Sequence, residues 1–145
     1  MADILPAERL AASVSRVTGT MLGRTFQPAA TTQPPTLWRT VVLPIPGKRP
    51  ISVALSSDRA GCAALAAAML GLEEDELDVS MIDDFLRELL NMTAGQIKHE
   101  LALDAALGLP RIVDGGQTFQ LAGWSHHILD SNSVNLVVSL VTQVV

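Results

Sequence analysis

The chain has 145 residues, about one domain's worth, and that length buries roughly two-thirds of its unfolded surface without staples. Hydrophobic residues make up 48% and aromatics only 3%, with no Tyr, so the core is aliphatic. Ten Lys and Arg against fifteen Asp and Glu leave a net charge of -5, which argues against a nucleic-acid binder, and one Cys excludes both a disulfide framework and a Cys-based zinc site. The opening Met-Ala-Asp-Ile carries no basic, then apolar, leader pattern, and no run reaches 18 apolar residues. The expectation is one cytoplasmic domain over residues 1–145, with no membrane span.

Residues 4–23 read as a helix. Ile4, Leu5, Leu10, Val14, Val17, Met21 and Leu22 recur at helical spacings, Pro6 fits a first turn and Gly23 a stop. Residues 24–36, rich in Pro and Thr, read as a loop. Residues 37–45 and 51–55 are strand-like, and Pro46-Gly47 between them predicts a hairpin. Pro44 and Pro50 belong at strand ends or edges, since proline cannot donate to a ladder. Asp58 is an N-cap candidate for an Ala-rich helix over 59–70 that stops at Gly71. Residues 72–78 are acidic and short. A long helix is expected over about 79–106, ending before Gly108 and Pro110. Strands are expected at 111–113, 118–122 and 134–145, with a turn at Asp114-Gly115-Gly116. Without β-α-β alternation, the order gives an α+β fold: a mainly antiparallel sheet packed by helices.

The long helix has two distinct faces. At about 100° per residue, Asp84, Glu88, Asn91, Gly95 and Lys98 fall on one stripe, and Ile82, Leu86, Leu89, Leu90, Ile97 and Leu101 lie across from it. A solvated face is the plain explanation of such a stripe. Asn and Gly are nevertheless poor helix formers, Gly costing up to roughly 1 kcal/mol relative to Ala. Their presence on an exposed stripe points to a surface that touches something, with Gly95 permitting a close approach.

Asp84-x-x-x-Glu88-x-x-Asn91 resembles the signature of the CheC/CheX/FliY chemotaxis phosphatases: Asp or Ser, three residues, Glu, two residues, Asn. Asn91-Met92-Thr93-Ala94-Gly95 resembles the Asn-Met-x-Ala-Gly run of CheX-type proteins, and Leu109-Pro110-Arg111-Ile112-Val113-x-Gly115 the segment that follows it. Thr20-Met21-Leu22-Gly23 is similar to the end of the family's first helix. The specific part covers about 35 residues. The chain has a single Glu-x-x-Asn, whereas CheC-type proteins carry two such helices, so the likeness is to the CheX type. Gln96-Ile97-Lys98 departs from the Asn-Ala-Lys common in relatives.

The resemblance implies a CheC/CheX-like fold and a phosphatase for the aspartyl phosphate of a CheY-like response regulator. The regulator supplies its own Mg²⁺ and Lys, and this chain binds no cofactor. An amide such as Asn91 can accept from and donate to an attacking water without competing as a nucleophile. Glu88 can pair with the regulator's lysine. Asp84 can extend that contact, orient Glu88, or simply favour the start of the helix. Gly95 and Lys98 border the site. The family's fold is also that of flagellar switch middle domains, so a non-catalytic module that binds a regulator or the flagellar switch is the alternative. His99 lies beside the stripe, within reach of a partner. His126 and His127 are read as loop or strand-end residues rather than metal ligands, because neighbouring strand side chains point to opposite faces. Cys62 is read as a small buried residue, and Met69, Met81 and Met92 as packing. The apolar alternation in 134–145 suggests an interior strand. As the final element it needs cover, and a second copy, as in CheX-type homodimers, is one way to provide it.

Overall fold

Proline and glycine set the helix ends. In the computed structural model, which describes residues 4–31, 33, 35–114 and 123–145, helix α1 (Ala7–Leu22) follows Pro6 and stops at Gly23, whose φ is 64°. Helix α2 (Arg59–Leu70) is capped by Asp58, which accepts from the Gly61 amide at 2.7 Å, and ends at Gly71 with φ 66°. The acidic connector holds a 3-10 turn (Glu74–Glu76) with a reciprocal Glu73/Glu76 capping box. Helix α3 (Val79–Glu100) begins at Asp78, whose carboxylate accepts from the Met81 amide at 2.8 Å.

Among the described residues, six strands form one antiparallel sheet: β1 (Gln27–Pro28), β2 (Arg39–Ile45), β3 (Ile51–Ser57), β4 (Arg111–Asp114), β5 (Ser125–Ser131) and β6 (Val134–Val141), in the order β1-β5-β6-β3-β2-β4. Register puts like with like. Val41 faces Leu55, Leu43 faces Val53 and Ile45 faces Ile51, while Val53 and Leu55 face Leu140 and Val138 across the next ladder. These residues meet Leu10, Val14 and Val17 of α1, Leu65 of α2 and Leu86, Leu89 and Leu90 of α3 in one aliphatic core. The fold is therefore α+β, with helices on one face of the sheet. On the other face Thr40 and Ser56 pair through their hydroxyls at 2.7 Å, and Val42, Ala54, Trp124 and Val141 form a smaller buried cluster. Burial on both faces explains why every residue of β3 is buried, including its serines.

Several expectations are corrected. The long helix stops at Glu100, six residues before 106, because Ala102 turns to φ 53°. The Leu103 amide then donates to the Lys98 carbonyl at 3.0 Å and the Ala102 amide to that of His99 at 3.1 Å, closing a Schellman turn. Arg49 donates to the Leu101 and Ala102 carbonyls at 2.8 and 3.1 Å, satisfying groups the helix leaves open. Beyond the turn, Leu103, Ala105 and Leu107 pack on the core at a period of two. The loop at 24–36 contributes β1, paired with β5. His126 and His127 lie inside β5, a strand the sequence reading lacks. β5 and β6 are joined by Asn132 and Ser133, with φ of 46° and 72°. The strand at 134–145 ends at Val141 and sits between β5 and β3, so cover for it comes from its own chain. Pro44, as expected, is near a strand end, in β2 past the last β4 partner, and its carbonyl accepts from the Gly108 amide at 2.7 Å. The strand expected at 118–122 and the turn at 115–116 lie outside the described residues.

Left-handed backbone is unfavourable for an L-residue with a Cβ, by roughly 1–2 kcal/mol. Ala102 is exposed and makes that turn without glycine's freedom. Ala102→Gly is expected to stabilise the fold by about 1 kcal/mol and to raise Tm by roughly 2–4 °C in a thermal melt. An unchanged or lower Tm would show that the turn carries no strain.

Candidate functional site on helix α3

The buried face of α3 fixes where its other face points. Ile82, Phe85, Leu86, Leu89, Leu90, Thr93, Ala94 and Ile97 are all buried. Asp84, Glu88 and Asn91 are exposed, and Gly95 and Lys98 are half-buried. The helix runs unbroken from Val79 to Glu100, so the five residues form one outward stripe about 21 Å long. The start of α3 is tied down by Asp83, which accepts from Arg39 Nε at 3.0 Å. The Arg39 and Arg59 guanidiniums both lie over the Trp38 ring, at 4.6 and 4.7 Å from its centre. That cluster links β2, α2 and α3. At the other end, Arg9 of α1 pairs with Glu100. None of these six residues carries a local signal for its role in the sequence, because the pairs join segments distant along the chain.

The stripe residues differ in what occupies them. Asp84 is 75% exposed and pairs with Arg87, one turn on, at 2.9 Å. It is not the helix cap, which is Asp78. Glu88 and Asn91 sit on adjacent turns, with Cβ atoms about 5–6 Å apart by helix geometry. Neither side chain makes a hydrogen bond or ion pair with any other described residue. A carboxylate and an amide are thus presented outward, in register and uncommitted. Gly95 has open space where a Cβ would stand, with no atom within 4 Å. Its lack of a side chain is therefore not required by packing within the chain. Lys98 and His99 lie in the last turn, where positive charge complements the helix dipole, and line a groove of about 550 Å³ with Gly95, Ala102, Leu103 and Asp104.

At the other end of the stripe, Met69, Leu70, Met81 and Phe85 line a groove of about 290 Å³ with Asp84 and Glu88. Met69 and Met92 are 39% and 37% exposed, so the expectation that they serve as packing is corrected. The remaining candidates recede. Cys62 is buried, its Sγ lies 3.8 Å from the Ser57 carbonyl, and burial, helped by the Asp58 and Asp83 carboxylates, pushes its thiol up to about 12. A thiol held protonated is inert as a nucleophile. His126 lies 2.8 Å from the Ser139 hydroxyl, and burial, then neighbouring His127, pushes its pKa down. No group of three metal-ligating side chains gathers among the described residues. Among them, too, no helix is long and apolar enough to cross a membrane.

Three solved structures share this architecture. CheX from Vibrio vulnificus superposes with a TM-score of 0.74 at 19% identity, covering 91% of this chain and 95% of that one. A chain of the CheX–CheY–BeF3–Mg²⁺ complex from Borrelia burgdorferi gives a TM-score of 0.72 at 17% identity, covering 92% and 95%. The FliM middle domain from H. pylori gives 0.65 at 8% identity, covering 94% and 86%. At these identities the likeness establishes the fold alone, and the FliM middle domain shares it. No curated protein matches the sequence. The family described as chemotaxis phosphatase CheX matches residues 39–126, which run from β2 through α3 and β4 to the start of β5 and include all five stripe residues. By that match, the chain belongs to the CheX chemotaxis phosphatase family.

Proposed function

We propose that this chain hydrolyses the aspartyl phosphate of a CheY-like response regulator by inserting the outward stripe of α3 into the regulator's phosphorylation site. One observation carries the reading. Glu88 and Asn91 are exposed on adjacent turns of a rigidly seated helix, and neither is used by the fold among the described residues. Membership of a phosphatase family supports it, as does the fold's presence in a CheX–CheY complex.

An acyl phosphate is already activated, so positioning supplies most of what hydrolysis needs. The Asn91 amide holds a water in line with phosphorus, accepting from it through Oδ1 or donating to it through Nδ2. As the water oxygen bonds to phosphorus, the bond to the regulator's aspartate breaks, releasing phosphate and a free carboxylate. Glu88 pairs with the regulator's lysine and sets the docking pose. Asp84 and Arg87 flank that contact as an already neutralised pair, and Gly95 and Lys98 border the approach. The regulator's own Mg²⁺ neutralises charge on the phosphoryl group, and this chain supplies no ligand to it. The reading places the protein in the cytoplasm with its partner. A module that only binds a regulator or the flagellar switch shares the fold but has no use for an uncommitted Asn91. We also keep the homodimer, on the family likeness alone: light scattering at micromolar concentration should give about twice the chain's 15.4 kDa, and a value near 15.4 kDa would remove it.

Asn91→Ala should leave circular dichroism nearly unchanged, because the side chain is exposed, and should leave Tm unchanged or slightly raised, because Ala is the better helix former. It should slow loss of phosphate from the regulator by orders of magnitude while binding persists. Glu88→Lys should instead abolish binding, by like-charge repulsion with the regulator's lysine. Activity near wild type in the first variant, or wild-type affinity in the second, contradicts the assigned roles.

Gly95 separates fold from function. Gly95→Ala adds a methyl group into open space and removes a helical glycine, so it should stabilise the chain by up to roughly 1 kcal/mol. If the regulator approaches closely there, the same variant should bind it several-fold more weakly. A variant that is stabilised and binds as wild type would make Gly95 irrelevant to docking.

A further inference from the structure

The groove beside Glu88 has two features that the catalytic reading does not use. The first is apolar. Met69 and Leu70, at the end of α2, are 39% and 43% exposed, and with Met81 and buried Phe85 of α3 they line a groove that continues into Asp84 and Glu88. Neighbouring Val79 is 38% exposed. Large apolar side chains gathered on a surface mark contact sites, and flexible methionine suits a surface that must fit a partner. The second is electrostatic. Residues 73–88 hold eight acidic side chains and one basic one, Arg87, in a chain whose net charge is -5. That segment alone carries -7, so the rest of the chain nets +2. Arg87 pairs with Asp84, Arg39 pairs with Asp83, and Glu73, Glu76 and Asp78 serve as caps. Glu74, Asp75 and Glu88 pair with no other described residue. An apolar floor is thus bordered by Asp84 and Glu88, and the connector between the two helices that form it carries the free carboxylates of the 3-10 turn.

Resting on the proposed function, we infer that this groove is a second foothold for the same regulator, and that it receives an apolar side chain flanked by lysine or arginine on the regulator's surface. The charge of the rim decides the kind of partner. An acidic or neutral apolar surface would bring like charge to, or leave unpaired, the carboxylates it covers, whereas a cationic one neutralises them. Continuity decides which partner. The groove shares Asp84 and Glu88 with the stripe, so a protein whose lysine meets Glu88 lies over the groove in the same pose. The groove then sets affinity and register, and Asn91 sets the chemical rate.

The test titrates a CheY-type regulator, activated with beryllofluoride and Mg²⁺, onto the full chain and its variants, alongside steady-state phosphate release. Leu70→Lys removes the apolar contact and repels the cations, Leu70→Gln removes the contact alone, and Glu74→Gln with Asp75→Asn lowers the negative charge of the adjoining connector without touching the caps. All these side chains are exposed, and a melting curve for each variant checks the fold. Leu70→Lys should raise Kd and KM at least tenfold with kcat within twofold of wild type, and Leu70→Gln severalfold. The connector variant should weaken binding at low salt and flatten its salt dependence. Asn91→Ala shows the opposite pattern, losing kcat and keeping Kd. If both Leu70 variants bind as wild type while hydrolysis proceeds, the groove is overturned and the phosphatase reading survives. If the wild type binds without hydrolysing, the phosphatase reading fails and the Kd values alone judge the groove. Absence of any binding overturns both.

Discussion

Helix α3 can point its outward stripe in one direction only, because its inward face is committed. Six large apolar side chains, Ile82, Phe85, Leu86, Leu89, Leu90 and Ile97, are buried against the sheet and the other helices. Each contributes roughly 1.5–3 kcal/mol by leaving water. A partly exposed ion pair such as Arg39–Asp83 contributes about 1 kcal/mol or less. Packing therefore holds the helix, and the ion pairs at its two ends trim its position. Turning α3 far enough to move Asn91 by one face would expose several of those side chains at once. The direction in which Glu88 and Asn91 point is thus a property of the core.

That constraint lets two outward residues be ill-suited to the helix they occupy. Asn91 and Gly95 weaken α3 locally, and Gly95 meets no neighbour that would require its missing side chain. The loss is small beside the packing on the opposite face, so the fold absorbs it. A stability cost concentrated on one exposed face is the pattern expected where function, not folding, chooses the residues. Glu88 fits the same account: in a fold that ties down Asp83, Asp84 and Glu100 with arginines, it is left without a described partner.

Much of this was legible in the sequence, for identifiable reasons. The two faces of α3 repeat over 22 residues, long enough for the helical period to stand out. The β2–β3 hairpin has Pro46-Gly47 at its turn, and Asp58 and Gly71 bracket α2. What was missed had weak or ambiguous local signals. β5 reads Ser-His-His-Ile-Leu-Asp-Ser, with too many polar residues to suggest a strand until β6 pairs with it. Its turn uses Asn132 and Ser133 in left-handed backbone, without glycine. β1 is two residues long. The end of α3 was overrun because Leu101, Leu103, Ala105 and Leu107 satisfy a helix loosely and an extended strand better, and Ala102 gives no glycine stop signal. The stripe was visible because one helix carries all of it. The groove beside it was not, since it joins the end of α2 to the start of α3 across a folded connector.

The most direct test is a crystal structure of this chain bound to a CheY-type regulator carrying beryllofluoride and Mg²⁺. The account predicts α3 lying across the phosphorylation site, the Asn91 amide within hydrogen-bond reach of a water opposite the bond from beryllium to the aspartate oxygen, and the Glu88 carboxylate against the regulator's lysine. A complex in which the regulator docks elsewhere, with Glu88 and Asn91 facing solvent, would contradict it.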